Sequence, residues 1–298
     1  MPVTRLSLGT AQLGMPYGLA GGRAEMPSDR HASSMLHAAY DLGIASLDTS
    51  PEYGHAEQRV GAFLTDHDLH EEIAICTRLP SLAACDTRRV AQQVEDALTA
   101  SLRRLQSDIV DTYLIRDAAD LERHGQALID ALCHQRDKGR ALSIGVSVAS
   151  PAELALVEEH PDLGVVRHPF SLLDRRLLEG AWPERLAASG TRLQVRSALA
   201  RGLLAIQAQA LTGDLAQARP QLAQLEQVLA GFGLTPASAA LPFALAVDPD
   251  SVVVGAETIE QLEALVATAS TPLPEDLLAV VEREVPATPP PLIAALYA

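Results

Sequence analysis

The sequence predicts an α/β fold, a single (β/α)8 TIM barrel, on three observations. Short runs rich in Val, Ile and Leu alternate with longer stretches of helical periodicity, the pattern of repeated βα units around a parallel sheet. A weak leading strand and seven clearer ones make eight. Helix caps follow strands directly, as βα loops require. Ser150-Pro151-Ala152-Glu153 supplies a cap, a first-turn proline and an acid facing the helix dipole, and Thr258 with Glu260 plays the same part near the end.

The predicted strands are Arg5 to Leu8, Ile44 to Asp48, Ile73 to Cys76, Ile109 to Ile115, Ala141 to Val146, Leu163 to Arg167, Arg192 to Val195 and Ser251 to Val254. Between and after them, helical periodicity covers about Asp29 to Leu42, Ala56 to Thr65, Thr87 to Leu105, Asp120 to Lys138, Pro151 to Glu158, Asp174 to Ala188, Ala216 to Ala230 and Ile259 to Ala267. The longest connection follows the seventh strand, from Arg201 through Gly213 and Pro220, where barrels of this kind place functional loops. From about residue 272 the chain continues as one more helix, about Glu275 to Glu284, and a tail with Pro286 and Pro289-Pro290-Pro291. That tail is expected to pack across an opening or against a partner. Residues 1–298 read as one domain, since no linker divides them and no GxGxxG follows a strand.

Bulk composition narrows the function classes. A hydrophobic fraction of 48% with 20% charged residues supports a sizeable core. The net charge of −15 repels phosphates and anionic lipid alike, so neither a nucleic acid nor a membrane partner is expected. Met1-Pro2-Val3-Thr4-Arg5 lacks the apolar run of a signal peptide, and no segment has the length of a membrane span, which points to the cytoplasm. Cys76, Cys85 and Cys133 lie apart without CxxC spacing, and His67 and His70 sit in an acidic stretch, so no metal site is expected. The implied partner is a small-molecule substrate.

The most informative motif is Leu47-Asp48-Thr49-Ser50-Pro51-Glu52-Tyr53-Gly54-His55-Ala56-Glu57, which brings a carboxylate and a phenol to the C-terminal rim. It resembles the DTAxxYGxSE signature of the aldo-keto reductase superfamily. Further passages agree in order and spacing: Leu8-Gly9-Thr10, Ser101 to Asp108 followed by Val110 to Ile115, Ile144-Gly145-Val146-Ser147, Arg196-Ser197 with Gly202-Leu203-Leu204, and Val252 to Gly255 with Gln261-Leu262-Glu263. The resemblance covers about residues 5 to 268.

It implies reversible hydride transfer between a nicotinamide cofactor, NADP(H) or NAD(H), and a carbonyl compound. By the same resemblance Tyr53 is the acid, Asp48 its carboxylate partner, Arg78 stands in the lysine position and Arg116 in the histidine position. A cation about 4 Å from a phenol contributes roughly 4 kcal/mol at an effective dielectric of about 20, or about 3 pK units, so Arg78 is expected to acidify Tyr53. Arginine is nonetheless planar and permanently charged, and its fork can clamp Asp48 or a substrate carboxylate instead. As cofactor contacts the resemblance implies Ser147, Arg167 (where the family has glutamine), Arg196, Ser197, Gly255, Thr258 and Gln261. Val148 replaces the asparagine that would hold the carboxamide, and Glu257 replaces the cation that would grip a 2′-phosphate. The function expected is interconversion of a small polar carbonyl compound, an anionic one being favoured by two arginines in the pocket of an acidic protein, and its alcohol. The alternatives are a binding or regulatory barrel without turnover, and a lyase or isomerase using the same pocket.

Overall fold

The computed structural model describes residues 5–17, 25–289 and 292–293. Met1 to Thr4, and Pro290 and Pro291 of the proline triplet, lie outside the described residues. Eight parallel strands close into a barrel in sequence order: β1 (Leu6–Gly9), β2 (Ser46–Asp48), β3 (Ala74–Leu79), β4 (Val110–Ile115), β5 (Ala141–Ser147), β6 (Val165–Pro169), β7 (Arg192–Arg196) and β8 (Ser251–Val254). All eight predicted strands are present, with ends displaced by a few residues. The displacement of β3 has a consequence for the site. Thr77, Arg78 and Leu79 pair with Tyr113, Leu114 and Ile115 of β4, so Arg78 sits on rigid strand rather than on a loop.

Strand parity sorts the side chains. Ile75, Tyr113, Ile144, Val166, Val195 and Val252 join the large apolar core shared with the helices. Cys76, Leu114 and Val165 form a separate small cluster, as expected of the alternate residues that fill the barrel interior. Above this plug, toward the C-terminal rim, the inward positions become polar: Asp48, Arg78 and Arg167. Gly145 has no room for a side chain, because a Cβ there would lie 2.0 Å from the Val165 carbonyl oxygen. The β5–β6 approach therefore requires glycine.

The helices are α1 (Ala11–Gly14), α2 (Asp29–Asp41), α3 (Ala56–His67), α4 (Val90–Leu105), α5 (Ala118–His124), α6 (Gln126–Asp137), α7 (Pro151–Glu158), α8 (Trp182–Ser189), α9 (Arg219–Ala230), α10 (Pro236–Leu245), α11 (Ile259–Ala269) and α12 (Leu277–Glu284). Both predicted caps are present: Ser150 accepts from the Glu153 amide and Thr258 from the Gln261 amide. The helix expected over Asp120 to Lys138 is two, broken at Gly125, whose φ of 49° leaves the helical region. The helix expected from Asp174 begins only at Trp182, because the Asp174 carboxylate is bonded to Arg176 within a tight turn. The long connection after β7 contains short 3₁₀ turns and then α10, which the sequence reading missed. The tail lies against α9 and the loop after β6, where Arg175 donates to the Val285 carbonyl at 2.6 Å and Thr288 to the Leu173 carbonyl at 2.5 Å.

One buried group on β6 ties the fold to pH. His168 is fully buried, its Nδ1 lies 2.5 Å from the Pro169 carbonyl, and its Nε2 has no hydrogen-bond partner among the described residues. Burial lowers its pKa from 6.5 to about 4. The unfolded chain binds this proton first on acidification, so the stabilisation is present above pH 6.5 and is lost as pH falls toward 4. The term is on the order of 3 kcal/mol. Chemical denaturation of wild type and His168→Asn at neutral pH and at about pH 4.5 tests it, since the variant keeps an N–H for Pro169 and lacks the proton site. Wild type should lose more stability than the variant; equal losses would refute the assignment.

Candidate active site

The rim loop carrying Tyr53 is fixed by close backbone packing. Thr10 binds the Asp48 carbonyl through both its amide, at 2.9 Å, and its hydroxyl, at 3.0 Å. The Thr49 amide donates to the Cys76 carbonyl at 2.8 Å, and the Tyr53 amide to the Ser50 carbonyl at 3.0 Å. Gly54 turns the chain with a φ of 58°. The short helix α1 then presses against this turn. A Cβ on Gly14 would lie 1.8 Å from the Tyr53 carbonyl oxygen, and the Gly14 carbonyl accepts from the His55 amide at 3.0 Å. Gly14 and Gly54 thus let two loops touch backbone to backbone, and this contact sets where the Tyr53 ring stands.

Three charged side chains meet beneath that ring. Arg78 donates through Nη1 to the Tyr53 hydroxyl at 2.7 Å and through Nη2 to Asp48 Oδ2 at 2.6 Å. Arg167, from β6 on the opposite side of the barrel, binds Asp48 Oδ1, the Gln194 side-chain oxygen at 2.7 Å and Cys76 Sγ at 3.1 Å. Asp48 and Arg167 are 2% and 1% exposed, Arg78 14%. Two guanidinium groups against one carboxylate leave a single positive charge in excess. Arg78 Nε is buried and has no hydrogen-bond partner among the described residues.

A guanidinium carries donors only, so the Tyr53 oxygen must accept from Arg78. Its own O–H proton is consequently directed elsewhere, and Tyr53 lines the cavity described below. The expected acidification of the phenol does not survive its surroundings. Burial raises the Tyr53 pKa most strongly and Asp48 adds to this, while Arg78 and Arg167 pull it down; the net direction is upward. The field of Arg78 is present as expected, but desolvation outweighs it. For Arg78 itself burial opposes the charge, yet Asp48, Tyr53 and Cys76 outweigh burial and its pKa is raised. Burial likewise pushes the Cys76 thiol up to about 11, so it stays protonated.

A cavity of about 1110 Å³ opens at the C-terminal face, running from Asp48, Tyr53 and Arg78 past the loop after β7 to the N-terminal ends of α10 and α11. It is lined by Arg116, Ser147, Arg196, Ser197, Gly255 and Gln261 among the sequence-predicted positions. Two predicted contacts are corrected. Arg167 lies under Asp48 and does not reach the cavity, because its long side chain crosses the barrel interior. Thr258 is not a lining residue either, since its hydroxyl is used to cap α11. Arg116 stands at the wall, 46% exposed, in an ion pair with Glu52 at 2.6 Å.

Other lining residues escaped the sequence reading. Gln12 follows β1 and closes on Gly255, whose hypothetical Cβ would lie 2.2 Å from its amide nitrogen. Tyr17 stacks under Arg201 at 5.8 Å, bringing the β1 loop to the β7 loop across the cavity. Ser197, Ala200 and Arg201 adopt left-handed backbone conformations with φ of 61°, 49° and 57°, uncommon for residues with a Cβ; Ser197 and Arg201 line the cavity, and Ala200 is buried. Gln194 was also missed, although its place one strand from Arg167 made it a candidate partner. Among the described residues no cluster of side chains suits a metal ion, and no helix is long and apolar enough to cross a membrane.

Comparison with known proteins agrees with this architecture. Aldo-keto reductase YhdN of Bacillus subtilis (strain 168) is 26% identical over 213 residues, spanning 67% of this chain and 60% of that protein, under two thirds of its length. A D-threo-aldose 1-dehydrogenase of a Pseudomonas species is 28% identical over 239 residues, covering 69% of this chain and 72% of the relative. The solved holo form of aldo-keto reductase AKR11C1 from Bacillus halodurans has the same fold, with a TM-score of 0.76 at 23% identity over 96% of this chain and 93% of that one. The model of the Aldo/keto reductase family matches residues 5–283, and the chain belongs to that family, whose typical activity is NAD(P)H-dependent oxidoreduction.

Proposed function

We propose that this chain is a nicotinamide-dependent oxidoreductase that interconverts a small polar carbonyl compound and its alcohol at Tyr53. The observation that carries this reading is the 2.7 Å bond from Arg78 to the Tyr53 hydroxyl at the wall of a long cavity. It leaves the phenolic proton free to meet a carbonyl oxygen. The relative named D-threo-aldose 1-dehydrogenase supports a small polar substrate, as does a cavity wall with Tyr17 and Tyr53 as its aromatic residues among the described ones.

The lining suits a dinucleotide in size and in most of its chemistry. At about 1110 Å³ the cavity slightly exceeds the usual range for small-molecule pockets, roughly 300–1,000 Å³. Ser147 at the end of β5 would meet the carboxamide end, Arg196 and Ser197 the phosphates, and Gly255 and Gln261 the adenosine end. A bound nicotinamide supplies or accepts the hydride. The residues do the rest. Arg116 orients the substrate, and Tyr53 delivers its proton to the carbonyl oxygen as the carbonyl carbon is reduced. Arg78 stabilises the phenolate left behind, and Asp48 holds Arg78 in register. Solvent entering the open cavity returns the proton to Tyr53.

Glu257, on the cavity wall after β8, does not suit a 2′-phosphate. It stands where α11 begins, and no lysine or arginine of β8 or α11 lines the cavity. NAD(H) is therefore the proposed cofactor. Fluorescence titration should give at least about tenfold tighter binding of NADH than of NADPH, with Glu257→Arg reversing the order. Failure of both dinucleotides to bind at millimolar concentration would end the oxidoreductase reading. Tighter NADPH binding by wild type would end only the cofactor choice.

A further inference from the structure

The cavity wall beside Tyr53 carries two arginines, Arg78 and Arg116. Arg78 and Arg167 share the single carboxylate of Asp48. Asp117 and Glu153 on the same wall are bonded to backbone rather than to these arginines: Asp117 accepts from the Ala119 amide at 3.0 Å, and Glu153 from the Ala149 amide at 2.5 Å. Arg116 completes the rim. Its Nε is bonded to Glu52, the residue before Tyr53, and it has no other ion pair among the described residues. The rest of its donor fork is open to a ligand, since the side chain is 46% exposed and lines the cavity.

We infer that the substrate carries a carboxylate, and that this group takes Arg116 from Glu52 when the carbonyl reaches Tyr53. The inference rests on the proposed role of Tyr53 only for where the carbonyl sits. A carboxylate matches the planar fork of Arg116 with two parallel hydrogen bonds. The exchange is easy on the protein side, because the Arg116–Glu52 pair is half-exposed and such pairs contribute little to stability. Glu52, 38% exposed, returns to water, while the substrate anion sits nearer the field of Arg78. Glu52 thereby acts as a stand-in anion that a neutral carbonyl compound has no means of displacing.

The test measures binding apart from turnover. Glycolate, 3-hydroxypropionate and 4-hydroxybutyrate, each beside its methyl ester, are titrated calorimetrically into wild type, Arg116→Leu and Glu52→Gln, with and without oxidised NAD. At least one acid should bind about tenfold or more tightly than its ester to wild type. Arg116→Leu should remove that preference by weakening the acid more than the ester, and Glu52→Gln should tighten the acid by removing its competitor. Equal binding of acids and esters, no binding of either, or an acid preference that persists in Arg116→Leu would overturn the inference. The two proposals separate cleanly. Acid-selective binding without NADH oxidation by the matching aldehyde acids would keep the carboxylate site and refute the oxidoreductase. NADH oxidation by the esters as fast as by the acids would do the reverse.

Discussion

Tyr53→Phe is expected to lower kcat for carbonyl reduction by about 10²- to 10⁴-fold, the range for loss of a positioned general acid, with little change in cofactor affinity. Arg78 already donates to the phenolic oxygen, so the hydroxyl proton is directed away from Arg78 and is left for a carbonyl oxygen. The ring itself remains in Tyr53→Phe, as does the Arg78–Asp48 bond, so the loop should keep its place. The upward shift of the phenol adds a directional signature. A phenol held protonated through neutral pH is always ready to give its proton and seldom ready to take one. Reduction should therefore be flat from about pH 6 to 9 and fall only when Tyr53 ionises, whereas alcohol oxidation should climb with pH across that range. Steady-state rates in both directions, for wild type and variant, check this. Wild-type activity retained within a few-fold in Tyr53→Phe would remove the phenol from the mechanism, and a reduction rate falling through neutral pH would contradict its burial-raised pKa.

The fold was legible because βα repetition is a low-resolution signal. Apolar runs, caps and spacing survive errors of a few residues at each boundary. Helix α10 was lost because Pro236-Ala237-Ser238-Ala239-Ala240-Leu241-Pro242-Phe243-Ala244-Leu245 is apolar nearly all round and carries an internal proline. Its capping box, Thr235 with Ser238, was the available signal. The break at Gly125 was passed over because periodicity continues on both sides of it.

At the site, the resemblance of the motif and of the strand ends set Asp48, Tyr53 and Arg78 side by side, and the structure has Arg78 bonded to both of the others. Parity does not give depth. Arg167 and Ser147 are paired neighbours on β6 and β5, yet one lines the cavity and the other crosses the barrel to Asp48, 119 residues away in sequence. That outcome depends on the length of an arginine side chain and on the small interior of Cys76, Leu114 and Val165, which leaves space above it. The phenol's pKa failed for a related reason. The distance to a cation can be anticipated from a motif, but the burial of the phenol is set by tertiary packing, which has no local signature.

The largest stability effect should come from Asp48→Asn. Among the described residues the carboxylate is the one ion-pair partner of the Arg78 and Arg167 guanidinium groups, and both of these are shielded from water. Neutralising it takes the cluster from one excess positive charge to two, with both guanidinium groups deprived of their ion pair. Removing one partner of a buried ion pair costs about 3–5 kcal/mol. Arg167→Met moves the charge in the other direction, to zero, leaving Asp48 and Arg78 as a one-to-one pair. It should cost less than Asp48→Asn, mainly about 1–3 kcal/mol for leaving Gln194 without its donor. Combining the two substitutions should recover part of the Asp48→Asn loss, because the double variant again has one buried guanidinium rather than two, and contacting residues in one charge network couple by about 0.5–3 kcal/mol. Urea denaturation of the four proteins measures every term of this cycle. Arg167→Met proving more damaging than Asp48→Asn, or the pair adding without coupling, would mean that the barrel interior does not hold its charges as a single cluster and that Asp48 is not what keeps Arg78 against Tyr53.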